Sequence, residues 1–364
     1  QWLSEAMANY AAQQFWSDTR EGGAAFLSQM AAGWRTSLTR MTPIGRPVES
    51  LGPIILGVRL NSSLADNGYR AIVYRKGAVV LAMMARAIGT EPFKKMSRSL
   101  IEAASDRVVS TATFLRAFEH MSGLDLSGFA QRYIYGTGIP SVFYSYEWVE
   151  DPTTGWELRG QAQLAEREKY EQRVVRRSDG GWDIRSTLSQ VVQDPSSALV
   201  VPYRMLLDDG GAAMASNAPH RQPVQRGDLT IAGATDQFVI PATEKPQAFR
   251  LDPRGEVLAR FFSEQTHPKR FKEFQAQALL LDGDVAAAQM AFEAALEVEI
   301  ESVDPTDLPV PWLRPTEMRR AHADARIHLQ LARIYLDRGN ERAAERALSS
   351  SAELSDDAPD LFGI

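Results

Sequence analysis

Hydrophobic positions recur with a helical period through the first 140 residues of the chain. One stripe has an apolar side chain at every fourth position, and another runs from about Tyr69 to Ile88. This spacing places the apolar side chains on one face of an amphipathic helix. Polar caps, glycines and prolines separate further helices of the same kind up to Pro140. The pattern therefore predicts a compact helical block over residues 1–140. The first stripe consists of Phe26, Met30, Trp34 and Leu38.

After Pro140 the period of the apolar positions changes from about 3.6 to about 2, beginning with alternation over residues 142–149. Six more short strand-like runs follow, separated by turn-forming segments rich in Asp, Pro and Gly. They lie near Trp156, Val174, Trp182, Leu199, Leu229 and Phe249. Strands and turns at this spacing are typical of an antiparallel β-sandwich, which we assign to residues 141–262. Residues 210–227 have little pattern and are predicted to form a loop.

Helical periodicity returns from about His267, and two segments there are alike. Each combines small residues with a glycine that turns the chain, Gly283 in the first segment and Gly339 in the second. This arrangement is similar to the helix hairpin of tetratricopeptide (TPR) repeats, although the two glycines are further apart than the repeat length of about 34 residues. We expect a TPR-like α-helical unit over residues 263–364. Two hairpins are too few to be stable alone, so they must pack against the rest of the chain.

The composition excludes several classes of function. The chain has 364 residues, of which 44% are hydrophobic and 24% charged, and these values fit a globular protein of two or three units. No apolar run reaches the roughly 18 residues that a membrane-spanning helix needs. The net charge of −6 gives no positive field for a phosphate backbone, so nucleic acid is not expected as a partner. The absence of cysteine rules out disulfides and cysteine-ligated metals; it favours export over a cytoplasmic location but leaves the compartment open.

The histidines do not supply a zinc-binding pair. An HExxH motif places two imidazoles on one face of a helix, with a Glu between them that acts as the general base. No such motif occurs in this sequence, and His322 and His328, six positions apart, do not share a helix face well. We interpret all five histidines as surface or capping residues. They are His120, His220, His267, His322 and His328.

The first segment of the chain, WLSEAMANY from Trp2 to Tyr10, resembles the WLNEGFAxY segment of the aminopeptidase N-like (gluzincin) zinc metallopeptidases. The resemblance implies that Glu5 is the third protein ligand of zinc. A carboxylate suits this role because, with two neutral imidazoles, it leaves an open and net positive metal site that acidifies a bound water. The sequence departs from the family at Ala6, where Gly is usual, and at Ala12, where some relatives have an acidic residue.

A second segment, YRKGA from Tyr74 to Ala78, is similar to the YxKGAxxL motif of the same family. The resemblance implies that Tyr74 is catalytic, with its hydroxyl facing the tetrahedral intermediate. A phenol with a pKa near 10 stays protonated at neutral pH. It can therefore donate a hydrogen bond to an oxyanion as negative charge develops there.

A third stretch, from Glu91 to Pro140, resembles the end of the family's catalytic domain in the order and spacing of its caps, glycines and core residues. The resemblance continues into the predicted sandwich at Phe249 to Leu258. It implies a multidomain α+β protein. Residues 1–140 would be the helical C-terminal part of a thermolysin-like catalytic domain, followed by the sandwich and the TPR-like helices.

In this family the HExxH motif lies one helix-turn unit upstream of the Glu ligand, which would place it just before Gln1. We therefore expect the chain to be the C-terminal part of a longer zinc aminopeptidase that hydrolyses peptides, with zinc held in the intact parent and no metal on this fragment. The missing N-terminal part is its implied partner, and the fragment alone is expected to be inactive. The alternative is a non-catalytic, peptidase-like scaffold that binds peptides or proteins through its C-terminal helices.

Overall fold

A computed structural model shows a protein of mixed helix and sheet. It describes residues 1–19, 23, 33–34, 37–40, 42, 47–61, 67–104, 107–152, 155–165, 169–176, 182–189, 198–207, 223–232, 235–299 and 316–356. Among these residues, no helix is both long enough and apolar enough to cross a membrane.

The predicted helical block is confirmed. Its α-helices are α1 (Trp2–Thr19), α2 (Gly77–Ile88), α3 (Thr90–Ala103), α4 (Thr111–Ser122) and α5 (Ser127–Ala130). Short 3₁₀ segments cover Val48–Leu51 and Ile54–Leu60, and π-helical segments cover Arg70–Lys76 and Gln131–Tyr135. Of the first predicted stripe, Trp34 and Leu38 are helical and buried, whereas Phe26 and Met30 lie outside the described residues.

Nine strands follow among the described residues. They are β1 (Ser141–Asp151), β2 (Gly155–Ala165), β3 (Lys169–Arg176), β4 (Trp182–Ser189), β5 (Leu199–Leu207), β6 (Val224–Ile231), β7 (Asp236–Ala242), β8 (Pro246–Leu251) and β9 (Arg260–Ser263). They form sheets ordered β7-β2-β1-β9, β6-β5-β8 and β3-β4. All seven predicted runs are strands, but β7 and β9 were not predicted.

The β region departs from the prediction in two ways. The last strand, β9, pairs parallel with β1, with Ser141 opposite Arg260, so the four-stranded sheet is mixed rather than purely antiparallel. The predicted loop over residues 210–227 is wrong at its end, because β6 begins at Val224 and pairs with β5. Residues 210–222 of that loop lie outside the described part of the chain.

The helical block and the sheets share one continuous hydrophobic core, which extends from Trp2 to Ala259. Polar contacts join the same two parts. Trp34 Nε1 donates to the carbonyl oxygen of Gly255 at 3.3 Å, and the Arg86 guanidinium of α2 pairs with Asp228 and Glu256. The sheets therefore hold the helices that carry the candidate site.

The C-terminal helices are α6 (Pro268–Leu281), α7 (Val285–Leu296), α8 (Thr316–Asp337) and α9 (Glu341–Asp356). Gly283 and Gly339 have positive φ in the two turns, at +85° and +70°, as their predicted role requires. These helices have a core of their own, and α6 also contacts the sheets because Phe274 stacks on Phe143 with ring centroids 3.8 Å apart. The specific likeness to TPR hairpins stays a prediction.

Candidate active site

Glu5 and Tyr74 come together between α1 and the π-helical segment, which pack against each other. The Tyr74 hydroxyl is hydrogen-bonded to the Glu5 carboxylate, and both side chains are half-buried. This hydrogen bond, followed by partial removal from water and the negative charge of Glu5, raises the pKa of Tyr74 to about 12. The phenol is therefore protonated at neutral pH and is a hydrogen-bond donor.

A second tyrosine supports the Tyr74 ring. Tyr69 packs edge-to-face against it with ring centroids 5.6 Å apart, and the two side chains are also hydrogen-bonded. Edge-to-face pairs of this kind add stability beyond the area they bury. The ring of Tyr74 is thus held on one side by a neighbour from its own helical segment.

The backbone around Tyr74 is π-helical from Arg70 to Lys76. The Gly77 N–H donates to the carbonyl of Ile72, five positions earlier, and also to the carbonyl of Tyr74. Single π-turns inside α-helices occur frequently at functional sites. Because a π-turn inserts an extra residue, it changes the direction of the side chains relative to a regular helix. The 3.6-residue period therefore does not predict the direction of the Tyr74 side chain.

Gly77 allows α1 and α2 to approach closely. Its φ of −56° is ordinary for a helix, so the backbone does not require glycine there. A Cβ atom at Gly77, however, would lie 2.7 Å from the Cβ of the fully buried Ala6, which real Cβ atoms do not tolerate. The pair also explains how the chain accommodates Ala6 in place of the family's usual Gly, since the methyl group faces a residue without a side chain.

Asn9 is a residue of the site that the sequence did not indicate. Its Nδ2 donates a hydrogen bond to the carbonyl oxygen of Tyr74 at 3.0 Å. The signal that could have pointed to it is its spacing, because residues four apart on a helix share a face and Asn9 lies four positions after Glu5.

The described residues do not make up a zinc site by themselves. A catalytic zinc needs three protein ligands, and no group of three or more His, Cys, Asp or Glu side chains in the described ranges is placed to hold a metal. Glu5 is a single carboxylate. Described residues line two cavities of about 450 and 420 Å³, and neither Glu5 nor Tyr74 lies in the lining of either one.

Two positions after Tyr74, Lys76 is completely buried, and within the described residues its Nζ has no hydrogen-bond partner. Burial lowers the pKa of Lys76 to about 8, against the opposing effect of the Glu49 charge. Glu49 is also buried, and its Oε2 accepts a hydrogen bond from the Gly138 N–H at 2.6 Å. The π-helical segment therefore carries a buried amine whose charged form is favoured by the charge of a buried carboxylate.

The buried amine is expected to make the free energy of unfolding depend on pH. Between pH 8 and 10.5 the unfolded chain binds the Lys76 proton more strongly than the folded chain does, so stability rises with pH. Relative to Lys76→Met, the free energy of unfolding of the unsubstituted chain is expected to rise by about 2 kcal/mol from about pH 7 to about pH 9.5. Urea unfolding at several pH values measures this difference.

The matched control is Lys95→Met, at an exposed lysine of α3. The difference in free energy of unfolding between Lys95→Met and the unsubstituted chain is expected to stay constant over the same pH range. A level or falling difference for Lys76→Met would show that Lys76 keeps an ordinary pKa in the folded chain.

Comparison with known proteins agrees with the resemblance. Residues 1–133 match the Peptidase family M1 domain, and this range includes Glu5, Asn9, Tyr74 and Lys76. A 95-residue stretch of the chain is 35% identical to aminopeptidase N of Caulobacter vibrioides, and it covers 26% of this chain and 11% of that protein. The N-terminal region of the chain is therefore similar to the M1 aminopeptidase family.

Among solved structures, the chain is similar to the crystal structure of Legionella pneumophila aminopeptidase A in complex with aspartic acid. The sequences are 13% identical, the TM-score is 0.38, and the match covers 83% of this chain and 37% of that one. This chain thus spans 11% of the matched aminopeptidase N and 37% of the matched aminopeptidase A.

Proposed function

We propose that the intact protein is a zinc-dependent aminopeptidase, or a related metallopeptidase, that hydrolyses peptide bonds at the N-terminal residues of peptides. The hydrogen bond between Tyr74 and Glu5 carries this proposal. The two residues come from separate segments that each resemble a motif of the family, and both segments lie within the region that matches the M1 domain. Because they are in contact, one substrate could meet both.

In this proposal Tyr74 stabilises the oxyanion that forms when the scissile carbonyl is attacked. Its phenol is protonated, and the single proton that Glu5 accepts in this structure would be available to the oxyanion once Glu5 is a zinc ligand. Glu5 is the third zinc ligand of the intact protein, and zinc would supply the activation of the attacking water. The other ligands and the catalytic base would come from residues outside this chain.

The proposal includes a domain plan. Residues 1–140 are the helical C-terminal part of a thermolysin-like catalytic domain, residues 141–262 a β-sandwich domain, and residues 263–364 a TPR-like helical domain. The continuous core between the first two ranges supports a role for the sandwich in holding the catalytic helices. The turns at Gly283 and Gly339 support the helix hairpins of the third.

The test compares the intact protein with the isolated 364-residue chain. The intact protein is expected to contain one zinc per chain by elemental analysis and to release the N-terminal residue of an unblocked peptide. The isolated chain is expected to do neither, because one carboxylate does not hold zinc in a three-ligand site. The same peptide with an acetylated N-terminus is the control for aminopeptidase action.

Two results would count against the proposal. Tight, stoichiometric zinc on the isolated chain would show that the ligands lie elsewhere than proposed. An intact protein without zinc or hydrolysis would favour the alternative, a peptidase-like scaffold that binds peptides or proteins through its C-terminal helices.

A further inference from the structure

We propose that Asn9 is a positioning residue that holds Tyr74 in place relative to Glu5. The effect of Asn9 on catalysis rests on the proposed function, whereas its effect on the position of Tyr74 can be tested on this chain alone. Asn9 Nδ2 donates to the backbone carbonyl of Tyr74 at 3.0 Å, while the hydroxyl of the same tyrosine is bonded to Glu5. One face of α1 therefore holds Tyr74 at both ends, through two residues one helical turn apart.

The carbonyl of Tyr74 lies near the end of the π-helical segment, where the helical hydrogen bonding is irregular. In the π-helical segment the Gly77 N–H is shared between the carbonyls of Ile72 and Tyr74, so the regular helical bonding is interrupted there. A carbonyl oxygen has two lone pairs, so the Tyr74 carbonyl can accept a hydrogen bond from a neighbouring helix in addition to the shared one from Gly77. The Asn9 amide donates that hydrogen bond from the neighbouring helix.

The close approach of α1 and α2 sets the distance over which this donor works. Ala6 faces Gly77 without an intervening side chain, so the two backbones approach closely enough for the short Asn9 side chain to reach the carbonyl of Tyr74. Ala6 lies next to Glu5 in the chain, and Gly77 lies three positions after Tyr74. Three interactions therefore fix the position of Tyr74 along α1. They are the contact of Ala6 with Gly77, the Asn9 hydrogen bond to the Tyr74 carbonyl and the Glu5 hydrogen bond to the Tyr74 hydroxyl.

Loss of the Asn9 bond is therefore expected to loosen the π-helical segment and to shift the Tyr74 hydroxyl. Displacement of a catalytic group by about 1 Å can cost as much as about 10²-fold in rate. Because the Glu5 and Ala6 contacts remain, we expect a smaller loss. In the intact protein Asn9→Leu should lower kcat by about tenfold while KM stays within about twofold.

The experiment uses three variants. Asn9→Leu removes the donor at nearly constant size and charge. Gln13→Leu is the matched control, since it removes an amide one turn further along α1 at a half-buried position. Asn9→Gln restores an amide on a longer arm and is expected to recover part of what Asn9→Leu loses.

The first measurement is hydrogen exchange of the amides of residues 72–79 in the 364-residue chain. Asn9→Leu is expected to increase their exchange rates by about tenfold, and Gln13→Leu to leave them unchanged. Equal exchange in the unsubstituted chain and in Asn9→Leu would overturn the proposal, whatever the intact protein does.

The second measurement is the kcat and KM of the intact protein. If Asn9→Leu loosens residues 72–79 but kcat is unchanged in an active enzyme, Asn9 does not position a catalytic group and the proposal fails. If the unsubstituted intact protein has no peptidase activity, the proposed function fails, while faster exchange in Asn9→Leu would still establish the Asn9 contact as the support of Tyr74.

Discussion

Replacement of Tyr74 by phenylalanine in the intact protein is expected to lower kcat by about 10²- to 10³-fold with little change in KM. The phenyl ring keeps its edge-to-face contact with Tyr69, so only the hydroxyl is lost. A donor that acts on the developing oxyanion contributes in the transition state and not in the bound substrate, and for this reason kcat falls while KM does not. Steady-state kinetics on an unblocked peptide measures both constants.

Tyr10→Phe is the matched control for this prediction. Tyr10 is another tyrosine of the helical block, buried against Phe93 with ring centroids 5.5 Å apart. Its substitution removes a hydroxyl that is not bonded to Glu5, and kcat is expected to change by less than about threefold. Unaltered turnover in Tyr74→Phe would remove Tyr74 from the mechanism.

Replacement of Glu5 by glutamine in the intact protein is expected to remove zinc and, with it, activity. The amide has the size of the carboxylate but no charge, so it is a poor ligand for a divalent cation. Substitution of residues that hydrogen-bond to metal ligands weakens metal binding by about 10- to 100-fold. Loss of a ligand itself should exceed that range. Zinc content after dialysis against a chelator measures the effect.

The glutamine can still accept a hydrogen bond from the Tyr74 hydroxyl through its amide oxygen, so the fold is expected to persist. Circular dichroism of the 364-residue chain with and without the substitution checks this. The control for charge is Glu102→Gln, at an exposed position of α3. Retention of one zinc per chain at unchanged affinity in Glu5→Gln would exclude Glu5 as a ligand.

Most of the elements of this chain could be predicted from its sequence, since they depend on local periodicity. The helices up to Ala130, the seven predicted strand runs and the turns at Gly283 and Gly339 all follow from the spacing of apolar residues and the positions of glycine. The strand β9 could not be predicted in this way. It is four residues long, Arg260–Ser263, and its parallel pairing with β1 joins distant parts of the chain.

The candidate site shows the same division. Glu5 and Tyr74 were predicted from segments that resemble family motifs, and their roles stay predictions. Lys76 and Glu49 were not predicted, because nothing local distinguishes a buried charged residue from an exposed one. Asn9 was not predicted either; its spacing from Glu5 places it on the same helix face but does not show that it bonds to Tyr74. Their environment comes from residues far away in the sequence.

By itself, the sequence of this protein determined the order of its helices and strands and the chemistry available to it. The Glu5 carboxylate and the Tyr74 phenol lie in segments that resemble family motifs, and cysteine is absent. Only the tertiary structure decided that Tyr74 lies within reach of both Glu5 and Asn9. That placement depends on the π-turn at Arg70–Lys76 and on the contact of Ala6 with Gly77. Both lie where two helices distant in sequence pack against each other. Packing depends on how the shapes of their side chains fit together, and a local sequence pattern does not contain that information.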